Sequence, residues 1–165
     1  MTSHILVSIR VAATPEHAFE VFTREIGSWW RPNGLFRFTR RSPVQLRFEP
    51  GLNGRLIEIL PGGEFFEIGR ITAWEPGVRL AFTWRQETFA TGQLTRVEVR
   101  FEPVGNETRV KVEHYGWDTI PPEHVARHHF PDPIFLQRHA EWWQVLLSSY
   151  KSLLIRNDDD ATAMS

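Results

Sequence analysis

Two runs, LTRVEVRFE at residues 94–102 and RVKVEHY at residues 109–115, decide the fold. In the first, Val97, Val99 and Phe101 alternate with Arg96, Glu98, Arg100 and Glu102. In the second, Val110, Val112 and His114 share a face. Apolar and polar residues that alternate with period two predict strands with one face dry and one wet. Val104-Gly105-Asn106-Glu107 between them predicts a tight turn. The same pattern runs upstream. In Val78 to Arg85, Leu80, Phe82 and Trp84 oppose Arg79, Ala81, Thr83 and Arg85. Three further strands are predicted at Gln45–Glu49, Arg55–Leu60 and Phe65–Trp74, closed by Pro50-Gly51, Pro61-Gly62-Gly63 and Glu75-Pro76-Gly77. Regular turn signals between such runs predict one antiparallel meander.

The ends of the chain read differently. His4 to Val11 alternates like a strand, with Ile5, Val7, Ile9 and Val11 on one face. Thr14 then supplies an N-cap and Pro15 a first helical residue, and Ala18, Phe19, Phe22 and Ile26 recur at helical spacing. The pattern predicts a helix from Pro15 to about Thr23 and a short second helical turn carrying Trp29 and Trp30, ended by Arg31-Pro32-Asn33-Gly34. Ile134 to Arg156, after a proline-rich loop, reads as one long helix. Leu136, Ala140, Trp143, Leu147, Tyr150 and Leu154 form its stripe, which Trp142, Leu146 and Leu153 widen. Residues 1–156 are expected to form one domain, and 157–165, with Asp158, Asp159 and Asp160, a disordered acidic tail. The fold class is therefore α+β: a curved antiparallel sheet around a long C-terminal helix, with two short helices after the first strand.

Composition narrows the function. The 165 residues suit one domain, and the net charge of −1 supplies no global field for nucleic acid. Cysteine is absent, which removes disulfides, thiolate nucleophiles and cysteine-based zinc sites, and suits a cytoplasmic protein. No signal peptide is visible, and no apolar run approaches the roughly 18 residues that would span a membrane. The seven Trp and twelve Phe are abundant, and large rings both fill cores and line apolar cavities. No glycine-rich phosphate loop and no Gly-x-Ser-x-Gly elbow occurs, so no catalytic residue and no cofactor is assigned.

The order of elements and several local motifs resemble the helix-grip, START-like superfamily, which includes polyketide cyclases and allergens of the birch-pollen type. Within it, the chain most resembles the C-terminal domain of activators of the ninety-kilodalton heat-shock chaperone ATPase, a domain widespread in bacteria as a stand-alone protein. The matching pieces are Thr14-Pro15-Glu16-His17-Ala18-Phe19, Trp29-Trp30, Gly69-x-Ile71 leading to Glu75-Pro76, and Leu80-x-Phe82-Thr83-Trp84. They continue with Val97-x-Val99-x-Phe101, Thr108-Arg109-Val110 and His114-x-Gly116-Trp117. The resemblance covers about residues 4 to 156 and implies a cavity between the sheet and the last helix.

The expected occupant is a small hydrophobic or aromatic ligand, and the expected lining is Trp30, Phe82, Trp84, Val99, His114, Trp117, Trp143, Leu147 and Tyr150. His114 is the titratable side chain that periodicity points inward, able to orient a ligand or move a proton. The buried hydroxyl of Tyr150 needs a partner, which a ligand could supply. His124 and His128 stand at i, i+4 with His129 and His139 nearby, but the spacing lies in a proline-rich segment and no metal is assigned. Glu98 and Glu102 beside Arg96 and Arg100 read as a solvated cross-strand ladder. The alternatives are a cyclase- or hydrolase-like enzyme using His114 as acid/base, and a protein-interaction module with an exposed Trp29-Trp30 patch. A homodimer is also possible. Ligand identity is not legible in the sequence.

Overall fold

The computed structural model describes residues 4–30, 45–117, 120, 124 and 131–163. The meander is present. Seven antiparallel strands, β1 (His4–Val11), β2 (Gln45–Phe48), β3 (Arg55–Ile59), β4 (Phe65–Glu75), β5 (Arg79–Trp84), β6 (Thr95–Val104) and β7 (Glu107–Tyr115), line up in the order β1-β7-β6-β5-β4-β3-β2. Strands β2 to β7 follow one another as neighbours, and β1 returns to pair with β7 from His4 opposite Tyr115 to Val11 opposite Thr108. Two helices, α1 (Pro15–Arg24) and α2 (Ile26–Trp29), follow β1, and α3 (Asp132–Ala163) closes the chain. This is the helix-grip arrangement that the sequence implied.

The alternation decides which face is dry. Val97, Val99 and Phe101 of β6 and Val110, Val112 and His114 of β7 are buried, while Arg96 and Arg100 are exposed. The outer face carries the expected ion ladder: Glu98 meets Arg100 at 2.6 Å and Arg79 at 3.5 Å, and Glu102 meets Lys111 at 3.1 Å and Arg109 at 3.7 Å. Exposed pairs of this kind contribute little each, so the dry face holds the sheet.

The sheet bends at β4. Its register slips against β3, where Leu56 faces Gly69 but Ile57 faces Glu67, and again against β5 between Ile71 and Ala73. An extra residue in one strand kinks and twists the ladder locally. Gly69 sits at the first slip, where a Cβ would collide with the carbonyl of Thr83. The Thr83 hydroxyl in turn accepts from the Arg70 amide at 2.9 Å. The absent side chain lets β4 and β5 approach closely.

Capping and side-chain bonds anchor the helices. Thr14 caps α1 by accepting from the His17 amide at 3.1 Å, as its position predicted. Thr108 donates to Ala13 O at 2.7 Å and ties the β1–α1 connection to β7. The Tyr150 hydroxyl donates to Ala18 O at 2.6 Å and ties α3 to α1.

The long helix corrects two expectations. It runs through Ala163, past Arg156, where the sequence pattern ended it. No Gly or Pro intervenes to stop it, and the Asn157 amide donates to the Glu25 carboxylate at 3.2 and 3.5 Å. Its buried stripe also differs in the first half, where Phe135 and His139 are buried and Leu136 and Ala140 only half-buried. Stepping back from Trp143 by fours selects His139 and Phe135. The predicted stripe instead followed the apolar residues at 140 and 136.

Gly69→Ala should lower the urea midpoint by an amount equivalent to about 2 kcal/mol or more, since backbone must shift to admit the methyl group. An unchanged midpoint would show that the bend in β4 does not need the glycine.

Candidate functional site

The interior between the sheet and α3 is aromatic, with one polar node. His114 projects from β7 and His139 from α3, and both are fully buried. His139 Nε2 lies 3.0 Å from His114 Nδ1. The Trp143 indole, one turn along α3 from His139, donates to the same Nδ1 at 3.2 Å. On the other side of the ring, His114 Nε2 lies 2.7 Å from Thr95 Oγ1, and the Thr95 hydroxyl donates to Trp84 O at 3.1 Å.

These bonds fix the tautomers. The hydroxyl proton of Thr95 is committed to Trp84 O, so its oxygen accepts from His114 Nε2–H. An indole can only donate, so His114 Nδ1 carries the lone pair. His139 must then donate its Nε2–H into that same lone pair. Both imidazoles are uncharged. Burial holds the His114 pKa down at about 3. Burial, and secondly the neighbouring His114, keeps His139 well below the usual histidine range.

Rings enclose the node. Trp84 meets His114 edge-on at 4.8 Å, and Trp117 approaches His114 at 5.4 Å and His139 at 5.2 Å. Phe135 stacks on His139 at 5.7 Å with planes 20° apart. Trp142 closes the far side of His139 at 5.4 Å. Trp30 bridges toward α2, touching both Trp142 and Trp143.

All nine residues expected to line a cavity are therefore inward. Trp84, His114, Trp117 and Trp143 converge on the node, and Trp30 borders it. Phe82, Val99 and Leu147 are buried in the surrounding core. Tyr150 belongs to a second aromatic group with Phe22 and Trp29, and Ala18 O, not a ligand, takes its hydroxyl proton. Trp29 and Trp30 are buried as well, so the exposed patch required by the interaction-module reading is not found at that pair. Two clefts bounded by described residues, of about 490 and 340 Å³, lie elsewhere, and none of the nine lines them.

Several polar residues of the interior escaped the sequence reading, among them Thr95, His139 and Glu58. His139 was grouped with the histidines of the preceding loop, although i, i+4 spacing to Trp143 marks it as inward. Glu58 is fully buried on β3, in register with Leu46 and Phe66. Its alternation with Leu56 and Leu60 was the available signal. Of the histidines weighed as metal ligands, His124 sits 3.0 Å from Thr88 O, and His128 and His129 lie outside the described residues. Among the described residues, no group of three or more His, Asp or Glu is placed to hold a metal ion.

Residues 12–154 match the family described as Activator of Hsp90 ATPase homolog 1-like protein. The chain belongs to that family. No curated protein matches the sequence. Solved structures share the family's fold at low identity. A protein from Mesorhizobium loti is 16% identical over 93% of this chain and 97% of its own, with a TM-score of 0.65. One from Chromobacterium violaceum is 17% identical over 92% and 96%, with a TM-score of 0.60. The Aha1 dimer from Colwellia psychrerythraea is 17% identical over 92% and 95%, with a TM-score of 0.61. Among the described residues, no helix is long and apolar enough to cross a membrane.

The node makes stability depend on acid. Both folded pKa values lie below the ordinary 6.5, so the unfolded chain binds more protons as pH falls below that value. The contribution is complete above about pH 6.5 and is lost progressively toward pH 3. His139→Phe, which keeps the stack on Phe135, should flatten this decline in urea unfolding. By NMR, the ring protons of His114 and His139 should not titrate between pH 8 and 5 while the chain stays folded. Titration near 6.5 would mean that the pair is not dry. Thr95→Val should cost about 1–3 kcal/mol at pH 7, because it leaves His114 Nε2–H unpaired in a dry core.

Proposed function

We propose that this protein binds a small, flat, largely apolar molecule against the ring shell around His114 and His139, between the sheet and α3. The observation that carries this reading is the polar node itself. A core built only for packing is as stable or more so with apolar side chains, because a buried network must be satisfied at every atom. Two neutral imidazoles within an indole and phenyl shell suit recognition of an aromatic body bearing a hydroxyl or carbonyl group. Trp84, Trp117 and Trp143 would supply contact area, and the ligand's polar group would take over one of the node's bonds to an imidazole. Since these rings touch one another, a ligand would replace ring–ring contacts, with Phe135 and Trp142 as the outer layer to be displaced. Family membership supports an interior binding role through the resemblance to cavity-bearing helix-grip proteins, and it leaves the ligand open.

The same geometry argues against His114 as an acid/base catalyst. At pH 7 a group with a pKa near 3 has no proton to give and is a weak base. Its Nε2–H is held by Thr95, and its lone pair is shared by two donors.

Titration with 1,8-dihydroxyanthraquinone, naringenin and palmitate, followed by calorimetry, tests the reading. At least one of the two aromatic probes should bind in the micromolar range, and His139→Phe should weaken it about tenfold. If no probe binds, or if binding is the same in His139→Phe, the interior is structural only.

A further inference from the structure

A cleft of about 490 Å³ opens on the far side of the molecule's aromatic core, between α1 and the end of β4. Its floor is aromatic. Phe19 and Trp74 meet edge-on with centroids 5.0 Å apart, and Phe48, itself against Phe82, continues the surface toward β2. Pro50 and Pro76, from the turns after β2 and β4, form walls. Phe19 and Phe48 are buried, whereas Trp74 is only half-buried, so part of its indole remains open to a ligand.

The rim is charged and unbalanced. Glu16, Glu20 and Arg24 follow one another along α1. Arg24 donates to Glu20 at 2.8 Å, which neutralises that pair. Glu16 has no ion pair or hydrogen bond to its carboxylate among the described residues. Its side chain rests on the β4–β5 turn at Gly77, where φ is 77° and where an added Cβ would lie 3.1 Å from Glu16 Cγ. The turn and α1 therefore present a single unpaired carboxylate above an aromatic floor.

We propose that this cleft binds a small organic ammonium ion, its apolar body on Phe19 and Trp74 and its charged head at Glu16. Aromatic faces attract cations through their quadrupole, and an indole does so best. The volume is that of a small-molecule site. An anion of equal size would meet Glu16 and Glu20 across the same opening. The occupant is thus separated by charge from the flat, largely apolar molecule proposed for the interior, and the two sites share no residue.

The test uses 4-phenylbutylammonium, 4-phenylbutan-1-ol and 4-phenylbutanoate, which differ only at the head group. Binding is followed on the Trp74 indole N–H resonance of the ¹⁵N-labelled protein. The expected order is ammonium, then alcohol, then carboxylate. Glu16→Gln, an exposed substitution on the first turn of α1, should weaken the ammonium about fivefold and leave the alcohol unchanged, the scale of one partly screened charge. Added salt should weaken only the ammonium. Trp74→Leu should weaken both ammonium and alcohol. Equal affinity of the three probes, indifference to Glu16→Gln, or shifts at Trp143 in place of Trp74 would each overturn the proposal. Because Trp143 reports the interior and Trp74 the cleft, failure at one site leaves the other untouched.

Discussion

A curled sheet with one dry face must be closed by something that is itself dry on one side, and α3 is that element. The apolar residues of β6, β7 and β5 would otherwise face water, and burying a large side chain is worth roughly 1.5–3 kcal/mol. Sheet and helix therefore fold as one unit. The two short helices fill what α3 leaves open, and Tyr150 to Ala18 O fastens them to it. The polar node between β7 and α3 is a consequence of how this closure is made.

The closure is specific because of where its polar atoms sit. His139 and Trp143 stand one helical turn apart on α3, and both aim a donor at the same nitrogen of His114 on β7. A rotation of the helix by one residue moves its side chains by about 100° and breaks both bonds. Apolar contacts alone tolerate such slips, since any ring can occupy a greasy volume approximately. A buried donor without an acceptor does not tolerate them. In this chain the node fixes the rotation and height of α3 against the sheet. Substitutions there act on the proposed ligand surface and on helix register together, so an aromatic replacement disturbs the register least.

Much of this was legible because strand alternation is a local signal. Val97, Val99 and Phe101 announce their face without reference to any other strand. Thr14-Pro15 likewise announces a helix start from two residues. What escaped depends on non-local facts. The register slips at Gly69 and between Ile71 and Ala73 come from how β4 meets both neighbours, and the sequence reads there as one uninterrupted strand. His139 escaped because a helical period leaves two tracks back from Trp143, and hydrophobicity alone favours the one through Ala140 over the one through His139. The choice is made by His114, which is 25 residues away. Glu58 was hidden by its charge, although its position in the alternation placed it inside. The partner of Tyr150 could not be read either, since Ala18 O offers no side-chain signature.

The identity of the buried polar residues follows from the same energetics. A carboxylate or an ammonium taken out of water must either find a counter-charge or change protonation state, and at neutral pH both changes are expensive. An imidazole is already mostly uncharged at pH 7, because its ordinary pKa is about 6.5. Burying it neutral therefore costs little beyond desolvation of one donor and one acceptor. Here Thr95, Trp143 and the second histidine satisfy those atoms of His114. Histidine is thus the side chain that can place a directional donor and acceptor in an aromatic interior at small electrostatic penalty, provided the pH stays near neutral. The price is acid sensitivity, since each proton that the unfolded chain gains below pH 6.5 is refused by the folded one. A protein selected for packing alone had no reason to accept that liability at two positions in contact, and the liability is what sets this interior apart from an ordinary core.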